Sequence, residues 1–265
     1  MTPTHFVCRW LKLLVTLATL GTATVQAELL VPIGYAGDPA ASGWLGAQQG
    51  HREAQIQGDF LGQRYTLTPR LSEVSAIVAA VPPAALQALA RAHPGVAVLN
   101  ITVTDDAIRT ACQPNLLHVI PSQKMLADAR AQWQKAHPDS PAEAKAWHPA
   151  FEKYAASQLN KRYTEATGKP MDDAAWAGWA AVKMVSDLVA REQTADPAAL
   201  LEALRHKLAF DGQKGSDLSF RDNGQLRQPL LLVDKGKLLG EAPVRGVAAV
   251  EDLDSLGLVP CAGQP

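Results

Sequence analysis

The chain has 265 residues, with 25 Lys and Arg against 26 Asp and Glu and a formal net charge of −1. So even a balance leaves no basic footprint for nucleic acid. Hydrophobic residues make up 47% of it, too many for a disordered chain and enough for a packed core.

The opening residues, MTPTHFVCRWLK, carry Arg9 and Lys12 and no acid, and an apolar run follows over 13–25. The run ends in Val25-Gln26-Ala27, with small residues at the two positions a signal peptidase reads. It is short, and rich in Thr and Gly, where a transmembrane helix needs about 20 apolar residues. Residues 1–27 are therefore expected to be a cleavable signal peptide, and no later stretch is apolar enough to span a bilayer. Roughly 240 residues would remain, with a charge of about −3, a size that suits one large domain or two small ones.

Residues 29–35, LLVPIGY, read as a buried strand feeding a loop. A helix is expected over 43–58 and a second strand over 64–71. A third strand, over 75–81, is closed by Pro82-Pro83, which suit the first turn of a helix over 84–93. Residues 95–101 and 115–120 are the fourth and fifth strands, and Ser122 can cap a helix starting at Gln123. Continuous apolar strands alternating with helices predict an α/β fold, a parallel sheet covered on both faces.

The character changes after Trp133. Residues 134–146, with two prolines and many charges, read as a surface connection. Helices are expected over 149–167, stopping at Gly168, and over 173–192, capped by Asp172 or Asp173. In the second of these, Trp176, Trp179, Met184, Val185, Leu188 and Val189 favour one side, the pattern of core packing. A third helix over 196–207 has Pro197 in its first turn. The end is a β unit: 218–220 and 230–233 flank the turn Asp222-Asn223-Gly224, and a second turn lies at Asp234-Lys235-Gly236.

The sequence has no Gly-rich phosphate loop, no His-Glu-x-x-His helix, no Gly-x-Ser-x-Gly elbow and no cysteine pair at metal-ligand spacing. The histidines are scattered. No catalytic residue, metal ligand or cofactor is therefore assigned, and the chain is not expected to be an enzyme. Trp147-His148-Pro149 is either a rigid turn before a helix or a place for a small anion at that helix's N-terminus. Polar groups just after parallel strands are better placed, because open α/β sheets bind ligands outside the C-terminal ends of their strands. Here those ends carry Tyr35 and Asp38, Val81 with Pro82, and Thr102, Thr104 and Asp105. The Thr hydroxyls and nearby backbone N–H groups either hold a ligand carboxylate or bond their own backbone as turns do. Cys112 and Cys261 would survive signal removal; an even count in an oxidising compartment points to a disulfide, with two inert thiols as the alternative.

Three blocks go further. GVAVLNITVTDDAIRTACQPNLLHVIPSQKMLADARAQW has a strand, a Thr-containing loop, a strand and a Ser-started helix; FEKYAASQLNKRYTEATGKPMDDAAWAGWAAVKMVSDLVARE has a helix, a Gly-x-Pro turn and a long aromatic-bearing helix. FDGQKGSDLSFRDNGQLRQPLLLV supplies Gly215, Phe220 and the Asn223-Gly224-Gln225 turn of a closing hairpin. Together these resemble the type I periplasmic substrate-binding proteins of ABC transporters, the branched-chain amino-acid class. More narrowly, AWHPAF, FRDNGQLRQP and LDSLG look like binding-protein-like components associated with pyrroloquinoline-quinone-dependent alcohol oxidation.

The resemblance implies a periplasmic-binding-protein-like fold with a first α/β lobe over 28–133. Residues 134–265 would supply a reduced second lobe, crossover helices, a hairpin and a tail, because strands the family has between the two helical blocks are missing. It implies a periplasmic ligand-binding component for an amino acid or similar small carboxylate, with Thr102 and Thr104 as ligand-binding positions, beside Tyr35 and Asp105 from the strand ends, and an ABC permease as partner. The narrower resemblance implies instead an accessory protein meeting a periplasmic quinoprotein dehydrogenase.

Overall fold

The computed structural model describes residues 28–262, so the expected signal peptide lies outside the described residues. Ten strands and seven helices follow in order: β1 (Leu29–Gly37), α1 (Ser42–Leu61), β2 (Gln63–Thr68), β3 (Ala76–Ala80), α2 (Pro83–Ala92), β4 (Ala97–Asn100), α3 (Ala107–Thr110), β5 (Leu116–His118), α4 (Gln123–Ala136), β6 (Glu143–Lys145), α5 (Ala156–Thr167), α6 (Asp173–Glu192), α7 (Pro197–His206), β7 (Ser219–Phe220), β8 (Leu226–Arg227), β9 (Leu230–Asp234) and β10 (Lys237–Ala242). Among the described residues no helix is long and apolar enough to cross a membrane.

β1 to β5 form a parallel sheet in the order β2-β1-β3-β4-β5. β3, β4 and β5 are buried on both sides because both faces are covered, while the edge strand β2 alternates buried and exposed residues. Val31, Ile33, Ala76, Val78, Ala97, Leu99 and Leu117 point to the larger core, which α1, α5, α6 and α7 complete. Ile77, Ala79, Val98 and Leu116 point the other way, into a smaller core with Leu86 and Ala90 of α2 and Ile108 of α3. The chain reverses direction across the sheet between β1 and β3, which makes their C-terminal ends the switch point, the place where open α/β sheets bind ligands.

α1 and α6 are the closest pair of helices. Gly43, Gly46 and Gly50 lie three and four residues apart, and so share one face of α1. That face meets Ala175, Gly178 and Val182 of α6 with no side chain between. Asp172 caps α6 by accepting from the Ala175 N–H at 2.8 Å, and Ser122 caps α4 by accepting from the Met125 N–H at 3.0 Å.

A second sheet is antiparallel, in the order β10-β9-β6, and α4 packs on it through Met125, Ala129 and Trp133. The chain passes between the two sheets at 119–122, at 146–147 and at 228–229. A small hairpin, β7 with β8, extends the first sheet: Gln225 bridges to His118 of β5.

Three sequence expectations change. Residues 134–146 are not only a surface connection: α4 runs to Ala136, and Glu143–Lys145 is β6, paired with β9. With Ala144 as its one buried residue, β6 is too short to show alternation. The helix expected from 149 starts at Ala156, because Tyr154 and Ala155 take left-handed backbone (φ 52° and 67°) that no α-helix continues through. The segment 230–233 does not pair with 218–220. Pro229 lacks an N–H, and β9 beyond it turns to the second sheet between β6 and β10.

Candidate functional site

Three loops frame the switch point. After β1, Asp38 closes the turn into α1: its Oδ1 accepts from the Ala40 N–H at 2.8 Å and its carbonyl from the Ala41 N–H at 3.2 Å. After β3, Pro82 and Pro83 lead into α2 and carry no N–H of their own. After β4, one buried side chain shapes the loop. Asn100 Oδ1 accepts from the Thr102 N–H (3.2 Å) and the Val103 N–H (2.8 Å), and its Nδ2 donates to the Val103 carbonyl at 2.7 Å.

Below that loop lies a polar frame. Asn100 Nδ2 is also 3.0 Å from His118 Nδ1. Since the amide can only donate, Nδ1 accepts and the proton sits on Nε2. Burial, reinforced by the positive Arg109, holds the His118 pKa well below the usual value, so the ring is neutral. Arg109 is fully buried and its guanidinium is used throughout. Nε donates to Gln225 Oε1 (2.6 Å), Nη1 to the Asp105 carbonyl (2.6 Å), and Nη2 to the Val103 and Ile120 carbonyls (both 3.1 Å). Burial lowers its pKa to about 10, against the pull of Asp106 and Asp105, and it remains charged at neutral pH.

Tyr35 is buried at the end of β1, edge-on to Trp44 with ring centroids 4.8 Å apart. Burial, then Asp38, pushes its hydroxyl to about 12, so it is a neutral donor at any physiological pH. Among the described residues its oxygen is buried without a hydrogen-bond partner. Thr102 is exposed, and Thr104 and Asp105 are half-buried. Asp105 Oδ1 accepts from the Ala107 N–H at 2.9 Å, and Asp106 Oδ1 from the Lys124 N–H at 3.2 Å. Tyr35 and Thr102 share the sheet's C-terminal edge, but β3 stands between their strands, which puts those strands about 10 Å apart.

Two donors expected for a ligand are thus already spent: the Thr102 and Val103 N–H groups bind Asn100. Sequence reasoning missed Asn100, His118, Arg109 and Gln225. The signal was present for two of them, since Asn100 and His118 are polar residues inside apolar runs (VLNI and LLHV). Arg109 and Gln225 are 116 residues apart and meet only in the fold.

Trp147-His148-Pro149 is a packed corner. Trp147 stacks on Trp176, centroids 5.9 Å apart, its Nε1 donates to Asn160 Oδ1 at 2.8 Å, and its backbone N–H donates to Asp173 Oδ1 at 2.7 Å. His148 Nδ1 accepts from the Ala150 N–H at 3.2 Å. A shallow cavity of about 240 Å³ lies over this corner, walled by Lys145, Pro170 and Asp172 among others. Cys112 and Cys261 form a disulfide, Cα atoms 5.5 Å apart. It fixes a tail that Arg221 also grips, through the Leu253, Leu256 and Gly257 carbonyls and Asp254.

No family model matches the sequence, and no curated protein matches it. Solved structures do match in fold. A branched chain amino acid ABC transporter periplasmic ligand-binding protein from Burkholderia xenovorans is 11% identical, with a TM-score of 0.68 over 81% of this chain and 95% of that one. An ABC transporter substrate-binding protein from Desulfitobacterium hafniense, in complex with Leu, is 12% identical, with a TM-score of 0.61 over 80% and 99%. A solute binding protein from R. palustris, in complex with benzoate, is 12% identical, with a TM-score of 0.62 over 82% and 96%. At such identities the likeness is one of fold: the parallel sheet with helices on both faces is periplasmic-binding-protein-like.

Proposed function

We propose that this chain is a periplasmic ligand-binding component of an ABC-type importer, delivering an amino acid to a membrane permease. The chief support is the fold: a parallel sheet that carries Tyr35 and Thr102 along its C-terminal edge, joined by three crossings to a second sheet. Solved structures of the same fold are described as binding Leu, Ile or benzoate.

The chemistry along that edge narrows the ligand class. Asp38, Asp105 and Asp106 put negative charge around it, while Arg109 is buried and fully engaged. A plain carboxylate meets repulsion there. A zwitterion does not: its ammonium suits Asp38 and Asp105, and its carboxylate suits the Thr102 and Thr104 hydroxyls. No bond is made or broken in this scheme, so it assigns no catalytic residue.

A thermal-shift screen tests it, comparing free amino acids with their N-acetyl derivatives and with simple carboxylates. At 100 times its Kd a ligand adds about 2.7 kcal/mol. At least one amino acid should raise Tm, and its N-acetyl form should not. No shift with any amino acid at millimolar concentration contradicts the proposal.

A further inference from the structure

The three crossings between the sheets converge on one side chain that the ligand scheme does not use. Lys214 is 2% exposed. Its Nζ donates to Gln228 Oε1 at 2.7 Å and to the Pro229 carbonyl at 3.0 Å, both on the 228–229 crossing. Gln228 Nε2 in turn donates to the Val119 carbonyl at 2.7 Å, on the 119–122 crossing. The same Nζ lies 4.0 Å from the centroid of the Trp176 ring, which stacks on Trp147 of the 146–147 crossing. The amine bonds one crossing directly, reaches the second through Gln228 and the third through a pair of stacked indoles.

Lys214 is held there by a loop in a demanding conformation. Gly212, Gln213 and Gly215 all have left-handed backbone (φ 59°, 58° and 68°), and a Cβ on Gly215 would strike the Tyr154 ring at 2.5 Å. Trp176 Nε1 donates to the Gly212 carbonyl at 3.1 Å. Releasing the loop would therefore uncover Trp176 as well as the amine.

Among the described residues no carboxylate is bonded to Nζ. The charges that face it come from other elements. Asp173 of α6 has Oδ1 committed to the Trp147 N–H, and Lys145 of β6 stands near it. Glu241 of β10 is bridged to Lys153 at 2.6 Å. Asp211, in the lysine's own loop, accepts from the Gln213 and Gly215 N–H groups. The two acceptors and the aromatic face offset part of the cost of an ammonium there, but no bonded carboxylate repays its desolvation.

We propose that Lys214 is a proton-sensitive latch on the junction of the two sheets, closed while its amine is neutral and released when the amine takes up a proton. Burial, only partly offset by Asp173 and Glu241, lowers its pKa to about 7. In a state where the loop 211–217 swings out, the amine meets water and regains its ordinary affinity for protons. Protons therefore bind the released state more tightly, and lower pH shifts the population toward it. The latch is independent of which ligand, if any, the chain takes.

Hydrogen exchange of the full chain at pH 6 and pH 8.5, corrected for the intrinsic pH dependence of exchange, tests this directly. Amides of 211–217 should be about 30-fold better protected at pH 8.5, the factor expected for a group that titrates near 7 when closed and near 10.5 when free. Lys214→Met should remove the difference. Equal protection of the wild type at the two pH values overturns the proposal, as does a Lys214→Met protein that keeps the wild-type difference. Should Lys214→Met fail to fold, His148→Gln decides: the difference must persist there, and its loss would move the switch to the imidazole.

Discussion

Gly46 and Ala175 meet backbone to backbone: a Cβ on Gly46 would overlap the Ala175 carbonyl. Gly178 has the same relation to the Gly43 carbonyl from the other helix. The α1–α6 pair is therefore closed to any side chain at these positions, and the obstacle is backbone, which cannot rotate away. Gly46→Ala or Gly178→Ala should cost about 3 kcal/mol or more, beyond the gain in helix propensity, as overpacking of a rigid contact does. Urea unfolding measures it. Unchanged midpoints would mean that the two helices part easily.

Arg109 is the frame of the β4–α3 loop. Arg109→Met removes a buried charge but leaves the Asp105 carbonyl and Gln225 Oε1 without their donor, and the Val103 and Ile120 carbonyls with one donor in place of two. Unpaired buried acceptors outweigh the relief of desolvation, so a loss of about 2–4 kcal/mol is expected. Urea unfolding of the variant should also show weakened protection of amides 102–107 under native conditions.

The disulfide spans 149 residues of sequence. A closed loop that long restricts the unfolded chain strongly, and the chain-entropy picture puts the stabilisation at about 5 kcal/mol as an upper value. Cys112→Ser with Cys261→Ser should lower stability by between about 2 and 5 kcal/mol. Arg221 still holds the tail through three carbonyls, so the fold should survive. An unchanged urea midpoint would contradict the assignment of the bond as a staple.

His118 predicts an acid limb of the stability curve. Its pKa is depressed in the fold, so below about 6.5 the unfolded chain takes up a proton that the native ring refuses. Stability from this group is present above that pH and is lost as pH falls toward the folded value. The slope approaches about 1.4 kcal/mol per pH unit, one proton's worth. Denaturant unfolding between pH 4.5 and 7 should show His118→Gln with a shallower slope than the wild type.

The parallel sheet was legible because β1, β3, β4 and β5 lie in apolar runs, and β1, β3 and β4 fall within a few residues of where those runs lie. The helix α6 was legible at both ends, since Asp172 caps it and its Trp, Met and Val face has helical spacing. What was not legible depends on contacts far apart in sequence. β6 is three residues long and becomes a strand only by pairing with β9 some 90 residues later. Lys214 looks like a surface residue in a Gly-rich loop until Trp176 and Gln228 close over it. Of the candidate site, strand ends alone name Tyr35, Thr102, Thr104 and Asp105 as positions along the sheet's C-terminal edge. That Asn100 claims two of the loop's N–H groups could not be read there, because a side chain's choice of partner is written in the fold.

The most direct test of the central claim is a map of where an amino acid binds. Amide chemical shifts of the labelled protein, followed through a titration with the amino acid that raises Tm most, should move at residues 35–41, 81–84 and 101–106. Those at 145–149 should stay still. Shifts confined to the Trp147-His148-Pro149 corner, or no shift at millimolar amino acid, would contradict the account.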